Sequence, residues 1–246
     1  MNELDRPRRN AASNLAWSIH AMTASGVVVG LLGLVAVSEG RPREALLWVI
    51  AAIVLDGVDG PLARRINCRE VLPQMDGYVL DLVVDFVTCV ILPAMFILQF
   101  DMVDSRVELL AAAGMVFTGA LWFARTDQMT DDHWFKGFPA SWNVVVPTLF
   151  LTGANQTSAM LVVVAFCALT LSTVKFVHPV QVREHRAVTL PVVGAWVITM
   201  TVLSVTYPTV PPEGIALLIA GSLYLVFITI RRTLQREVPL ELVISE

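Results

Sequence analysis

The chain is short of charge. Only 15% of its 246 residues are Asp, Glu, Lys or Arg, against about 25% in an average soluble domain. Hydrophobic residues make up 56% and mean hydropathy is +0.68, so an ordinary soluble domain is excluded. Cysteine is scarce as well. Cys68, Cys89 and Cys167 are scattered, odd in number and without metal-ligand spacing, which rules out a disulfide framework. Acidic residues outnumber basic ones by 21 to 17, and the basic ones follow the gaps between apolar runs, so no nucleic-acid partner is expected. There is no Walker-type loop. No Ser-His-Asp or Cys-His arrangement points to a covalent nucleophile. The first apolar stretch opens after Asn14 without a small-residue cleavage site, so no removable signal peptide is expected.

What the chain has instead is long apolar runs. A bilayer core needs about 20 residues of helix. Eight runs qualify as candidates, at roughly 15–37, 43–63, 77–100, 107–125, 138–152, 157–176, 188–206 and 214–230. They are uninterrupted, unlike the alternating strands of a closed barrel. The expected fold is all-α: one polytopic integral membrane helical bundle over residues 1–246, with about eight transmembrane helices. Short polar cytoplasmic termini are expected at 1–13 and 232–246. The fifth run is short and opens at Pro139, as a tilted or partial span would. With the N-terminus in the cytoplasm, fourteen of the seventeen basic residues fall on that side and only Arg41, Arg43 and Arg106 outside. That asymmetry predicts an N-in, C-in chain; a six-span count with two re-entrant runs is the alternative.

Four carboxylates interrupt this apolar background between Asp56 and Asp85, in DGVDGPLARRINCREVLPQMDGYVLDLVVD. A charge in or near a bilayer core is costly unless paired, liganded or wetted. Asp56 and Asp59 are three residues apart and Asp81 and Asp85 four apart, so each pair shares a helix face. A short connection between the two spans predicts an antiparallel hairpin in which the pairs meet near the cytoplasmic surface. An isolated Asp at a helix end is commonly just wet, but four of one sign ask for a cation. An all-oxygen ligand set suits Mg²⁺ or Mn²⁺, and four carboxylates can bridge two ions, as metal-assisted phosphoryl chemistry often requires. Gly57 and Gly60 flank Asp59 and leave room for a phosphate or nucleotide. Gly77 lies one turn before Asp81 and keeps the opposite wall open. Arg64 can reach a phosphate oxygen; Arg65 and Arg69 add positive charge near lipid head groups. Glycine in membrane helices also serves close packing, and arginine at a cytoplasmic end also serves topology alone.

Reduced to its pattern, the segment is D-x-x-D-G-x-x-A-R, twelve residues, then G-x-x-x-D-x-x-x-D. It resembles the signature of the CDP-alcohol phosphotransferase family, integral membrane enzymes of phospholipid synthesis. Family members usually have eight residues in the gap. The longer gap resembles the bacterial phosphatidylcholine synthase branch, as do IHAMTASG (19–26), REVLPQMDG (69–77), TDQMTDDHWFKGFPASWN (126–143) and FVHPVQVRE (176–184). The resemblance implies a bacterial inner-membrane enzyme, facing the cytoplasm, that transfers a phosphatidyl group from CDP-diacylglycerol to choline and releases CMP. It implies Mn²⁺ or Mg²⁺, two ions, held by Asp56, Asp59, Asp81 and Asp85, with Asp85 also the base for the alcohol. It implies that Gly60, Ala63 and Arg64, with Gly57 and Gly77 close by, line the nucleotide and diphosphate. Membrane phospholipids are expected partners, and a homodimer is implied.

A quaternary ammonium offers no proton, so its recognition falls to aromatic faces and negative field. The candidates are Tyr78, beside the acidic pairs, and Asp131, Asp132, Trp134 and Trp142 in the net acidic stretch 126–143. Interfacial anchoring is the ordinary role of such aromatics. His20 and Thr23 read as packing or helix hydrogen-bonding groups. His178 and Arg183 fit a cytoplasmic cavity and a plain topological role equally well. Three other readings stay open: a sibling enzyme using serine, glycerol phosphate or inositol phosphate, a cation transporter built on the same acids, and a lipid-binding scaffold.

Overall fold

The computed structural model describes residues 6–235. Ten α-helices and one π-helical segment follow in order: α1 (Arg6–Ser38), α2 (Pro42–Ile66), α3 (Cys68–Val71), α4 (Gly77–Asp85), the π segment (Phe86–Ile91), α5 (Leu92–Gln99), α6 (Glu108–Phe123), α7 (Trp142–Leu151), α8 (Gln156–Thr170), α9 (Arg186–Thr206) and α10 (Pro212–Leu234). Two-residue strands β1 (Phe135–Lys136) and β2 (Lys175–Phe176) pair antiparallel, Phe135 opposite Phe176. The polar N-terminus expected at 1–13 is part of α1 from Arg6 onward. Residues 1–5 and 236–246, Arg236 among them, lie outside the described residues.

The expectation of eight transmembrane helices is corrected to five. Ala11–Ser38, Pro42–Ile66, Gly77–Gln99, Arg186–Thr206 and Pro212–Leu234 are long and apolar enough to cross a bilayer. The fourth, fifth and sixth apolar runs became α6, α7 and α8, of 16, 10 and 15 residues. At 1.5 Å per residue they are about 24, 15 and 22 Å long, short of a core about 30 Å thick. Hydropathy alone overcounted because it does not see where a helix stops: α6 and α8 still expose Leu109, Leu110, Phe117, Leu161 and Val164, and only α7 is largely enclosed by protein. Trp142, Val146 and Leu151 of α7 belong to the main core, with Phe96 of α5 and Met115 of α6.

Small residues set how closely the first helices approach. A Cβ on Gly26, Gly30 or Gly33 would come within 2.6, 2.9 and 2.7 Å of side-chain atoms of Val84, Val87 and Leu92 respectively. One stripe of α1 therefore seats the whole α4–π–α5 rod. The π segment has a local cause. Pro93 brings no N–H and its ring would collide with the carbonyl four residues back; the helix widens, and the Leu92 N–H bonds to Val87 O, five residues back. Such widenings recur beside functional sites, and this one begins directly after Asp85.

Candidate active site

Two turns of sequence bring the acids together. Helix α2 ends at Asn67, which takes a left-handed conformation (φ 57°) and caps the helix through its N–H to the Ala63 and Arg64 carbonyls. The chain makes the single turn of α3 and reverses. Asp76 then starts α4, its carboxylate accepting from the N–H groups of Tyr78 and Val79 at 3.0 and 3.2 Å. Four orphan donors stand at every helix start, and this cap satisfies two of them. The result is the expected hairpin, with a one-turn helix inside its twelve-residue gap.

One carboxylate oxygen from each of Asp56, Asp81 and Asp85 lies within 4.8 Å of the other two. Asp59 stands beside this triad, 6% exposed. All four acids border a cavity of about 10 Å³, closed by Thr23, Gly26, Val84 and Thr88. That is about one water-sized sphere. Among the described residues, none of the four acids has an ion pair with Lys or Arg. Asp85 accepts only a long 3.9 Å contact from the Cys89 thiol. Three converging carboxylates without a cationic partner fit a hard divalent ion with oxygen ligands.

The acids open into a cleft of about 610 Å³. Gly60, Ala63, Arg64, Asn67 and Arg69 form one wall, Met75, Asp76, Gly77, Tyr78 and Asp81 another, and His20 and Thr23 the third. Asp59 and Asp81 belong to both spaces. Gly60 has a plain steric purpose: a Cβ there would meet the Arg64 Nη1 at 3.2 Å. The guanidinium thus folds back over Gly60, beside Asp59. Gly77 yields to α1 in the same way, since a Cβ would come within 2.9 Å of the His20 ring. Gly57 borders neither space, and a Cβ on it would meet nothing within 4 Å. Pro61 has no N–H to give the Gly57 carbonyl, which loosens α2 between the two acids and Arg64.

The stretch 126–143 is organised differently from the expectation. Trp142 is fully buried in the main core, 5.2 Å from the Phe138 ring. Trp134 is 1% exposed and lies beneath the Arg232 guanidinium, 5.7 Å away. Asp132 pairs with Arg232 at 2.6 Å, and Asp127 with Arg125 at 2.9 Å. Burial opposes ionisation of Asp132, but the Thr130 hydroxyl and Arg232 prevail and hold its carboxyl below the usual range. Asp131 is exposed. None of Asp131, Asp132, Trp134 and Trp142 lines the cleft, and two of the stretch's three acids already face arginines; only Tyr78, 57% exposed, reaches the cleft. Gln128, which no motif marks in the sequence, accepts from the Tyr78 hydroxyl at 2.5 Å and donates to the Trp122 and Phe123 carbonyls. His20 and Thr23, both in IHAMTASG, line the cleft as well as packing in α1. His178 stacks on Phe135 at 5.0 Å. Burial first, then the positive field of Arg64, pushes its pKa down to about 4.

No protein-family model matches the chain. Individual relatives do. The phosphatidylcholine synthase of Pseudomonas aeruginosa strain PAO1 is 38% identical over 218 residues, which is 89% of this chain and 92% of that protein. That of Agrobacterium fabrum is 41% identical over 181 residues, 74% and 75% of the two chains. That of Rhizobium meliloti is 38% identical over 211 residues, 85% and 87%. The chain belongs to the CDP-alcohol phosphotransferase family. A phosphotransferase of this family carries out phosphatidyl transfer, is a polytopic membrane protein of lipid metabolism, and is consistent with a bacterial inner-membrane location. In this phosphotransferase the Asp56, Asp81 and Asp85 carboxylates are the group suited to a metal ion.

Proposed function

We propose that the chain transfers the phosphatidyl group of CDP-diacylglycerol to choline, giving phosphatidylcholine and CMP. The observation that carries the proposal is the acidic cluster opening directly into a cleft walled by Gly60, Ala63 and Arg64. The acceptor rests on the relatives, which bear the name phosphatidylcholine synthase. Asp56, Asp59, Asp81 and Asp85 would hold Mn²⁺ or Mg²⁺, two ions in the full reading. When bound, the metal supplies positive charge against the diphosphate. Arg64, folded over Gly60, adds charge-assisted hydrogen bonds to phosphate oxygens. The Gly60 and Ala63 wall lets the nucleotide lie close to α2. Asp85 accepts the proton of the choline hydroxyl. The hydroxyl oxygen forms the new bond to the diacylglycerol-bearing phosphorus as the bond to CMP breaks, and CMP leaves with the electron pair in one in-line step. Tyr78, held by Gln128, offers an aromatic face to the quaternary ammonium.

The cleft end of the bundle belongs in the cytoplasm, where CMP is released. Arg64, Arg65 and Arg69 stand at that end. Ala16 and Ile19 of α1 pack there against Cys68 and Leu72, and Arg232 of α10 reaches Asp132. Both ends of the helical body are therefore on the cleft side, the return between α5 and α9 being made through the three shorter helices. The test is CMP release from purified protein given CDP-diacylglycerol, Mn²⁺ and one alcohol at a time. Choline-dependent CMP and phosphatidylcholine are expected. Activity with serine or glycerol phosphate alone overturns the choice of acceptor, and cation flux without CMP favours the transporter. Asp85→Asn should lower turnover at least about a hundredfold while CMP still binds; full turnover removes Asp85 as the base.

A further inference from the structure

Two walls of the cleft carry opposite charge. Arg64 and Arg69 stand on the α2–α3 wall, and Asp76 and Asp81 on the α4 wall, with Tyr78 between those two acids in sequence. An anionic diphosphate suits the first wall and a cation the second. Tyr78 is 57% exposed, and a side chain so open ordinarily changes rotamer freely. Its hydroxyl instead ends on the Gln128 Oε1 at 2.5 Å. Chemistry fixes the direction of that bond. The Gln128 Nε2 donates to the Trp122 and Phe123 carbonyls at 3.1 and 3.3 Å, in the last turn of α6, and a carbonyl can only accept. Oε1 is left facing the tyrosine, so the hydroxyl is the donor. Gln128 is itself braced. It is 8% exposed, its backbone carbonyl accepts from the Lys136 N–H at 2.8 Å, and the Lys136 carbonyl accepts from the Trp122 Nε1 at 3.2 Å.

We infer that Gln128 is the positioning residue for acceptor selectivity: it holds the Tyr78 ring on the acidic wall, where the ring face takes the quaternary ammonium. The inference rests on choline being the acceptor. With its proton committed to Gln128, the Tyr78 hydroxyl has none left for a phosphate oxygen or a base edge. What it offers the cleft is a π face. A quaternary ammonium has no proton to donate and is recognised by such a face, and the Asp76 and Asp81 carboxylates nearby add negative field. Tyr78 and Asp85 are seven residues apart, two turns, and share a helix face. An alcohol whose hydroxyl lies at Asp85 can therefore direct its cationic end along α4 toward the ring. The stretch 126–143 thus acts on the acceptor through Gln128. Its own acids do not supply the field, since Asp127 and Asp132 face arginines and Asp131 does not line the cleft.

The experiment measures separate KM values for choline and CDP-diacylglycerol on detergent-purified protein with Mn²⁺ present. Gln128→Met keeps the length of the side chain but neither donates nor accepts through an amide; Tyr78→Phe keeps the ring and removes the hydroxyl. Each should raise the choline KM about fivefold, the loss of one neutral hydrogen bond, with the CDP-diacylglycerol KM within about twofold. The loss should fall on the choline KM more than on kcat, as for binding shared by ground and transition states. The double variant should be no worse than either single one, because both remove the same bond. Tyr78→Leu, which removes the ring itself, should raise the choline KM further, by about another fivefold. If Gln128→Met does not fold, Tyr78→Phe breaks the same bond from its exposed end and carries the test. An unchanged choline KM in Tyr78→Phe, an equal rise in both KM values, or a Tyr78→Leu variant no worse than Tyr78→Phe overturns the inference while the choline activity of the wild type stands. A wild type that turns over serine or glycerol phosphate but not choline overturns the proposed acceptor and this inference with it.

Discussion

Replacing Asp81 by Asn should separate stability from function. The substitution removes one of three carboxylates whose oxygens lie within 4.8 Å of one another. Two unit charges at that distance repel by about 3.5 kcal/mol at an effective dielectric of about 20. Asp81 takes part in two such pairs, so between fully ionised groups the repulsion relieved when no cation is bound is on the order of 7 kcal/mol. Relaxation, water and shared protons reduce that figure, and a gain of about 1 kcal/mol already moves Tm by about 2–4 °C in a chain of this size. Metal-free Asp81→Asn protein should therefore melt a few degrees above metal-free wild type. Mn²⁺ should reverse the order, since a ligand at a hundred times its Kd stabilises by about 2.7 kcal/mol and the variant has lost a ligand. The assay is thermal unfolding in detergent, followed by circular dichroism, first with EDTA and then across a Mn²⁺ titration. A metal-free variant less stable than wild type, or an equal Mn²⁺ shift in both, would refute the reading of the triad as a cation site.

Two further outcomes concern what supports the cleft. Gly137 has φ +81°, and a Cβ there would meet the Thr170 carbonyl oxygen at 2.6 Å. Gly137→Ala should cost at least about 2 kcal/mol, read as a lowered Tm, and an unchanged Tm would show that Gly137 is not held against the carbonyls at the end of α8. His178 is neutral in the fold down to about 4, below its ordinary value of about 6.5. Between those values the unfolded chain takes up a proton that the folded chain refuses. Its contribution to stability is thus complete above about pH 6.5 and is lost as pH falls toward 4. His178→Phe, which keeps the stack on Phe135, should flatten the fall of Tm from pH 7 to 4.5; equal slopes would count against that burial.

The legible parts of the site were those written in helical spacing. Asp56 with Asp59, and Asp81 with Asp85, need only 3.6 residues per turn to share a face, and the short gap between them forces a hairpin. The apolar runs were legible as helices for the same reason. The parts that escaped reading depend on partners far along the chain. Asp127 and Asp132 look like free negative charge until Arg125 and Arg232 are seen against them. Trp142 looks like an interfacial aromatic until Phe138 and Phe166 close around it. Gly57 matches a pattern, yet it lines neither the acidic cavity nor the cleft.

By itself, then, the order of residues determined the chemical class of this protein: apolar helices in number, two acidic pairs on adjacent helices, and a glycine-and-arginine segment between them. Local periodicity and the cost of charge in lipid are enough to impose those features. Tertiary structure decided which apolar runs form helices long enough to cross, because hydropathy does not report where turns cut a run short. It also decided that the third wall of the cleft is α1. Only packing across Gly26, Gly30, Gly33 and Gly77 brings His20 and Thr23 against the acids, 33 to 65 residues away in the chain.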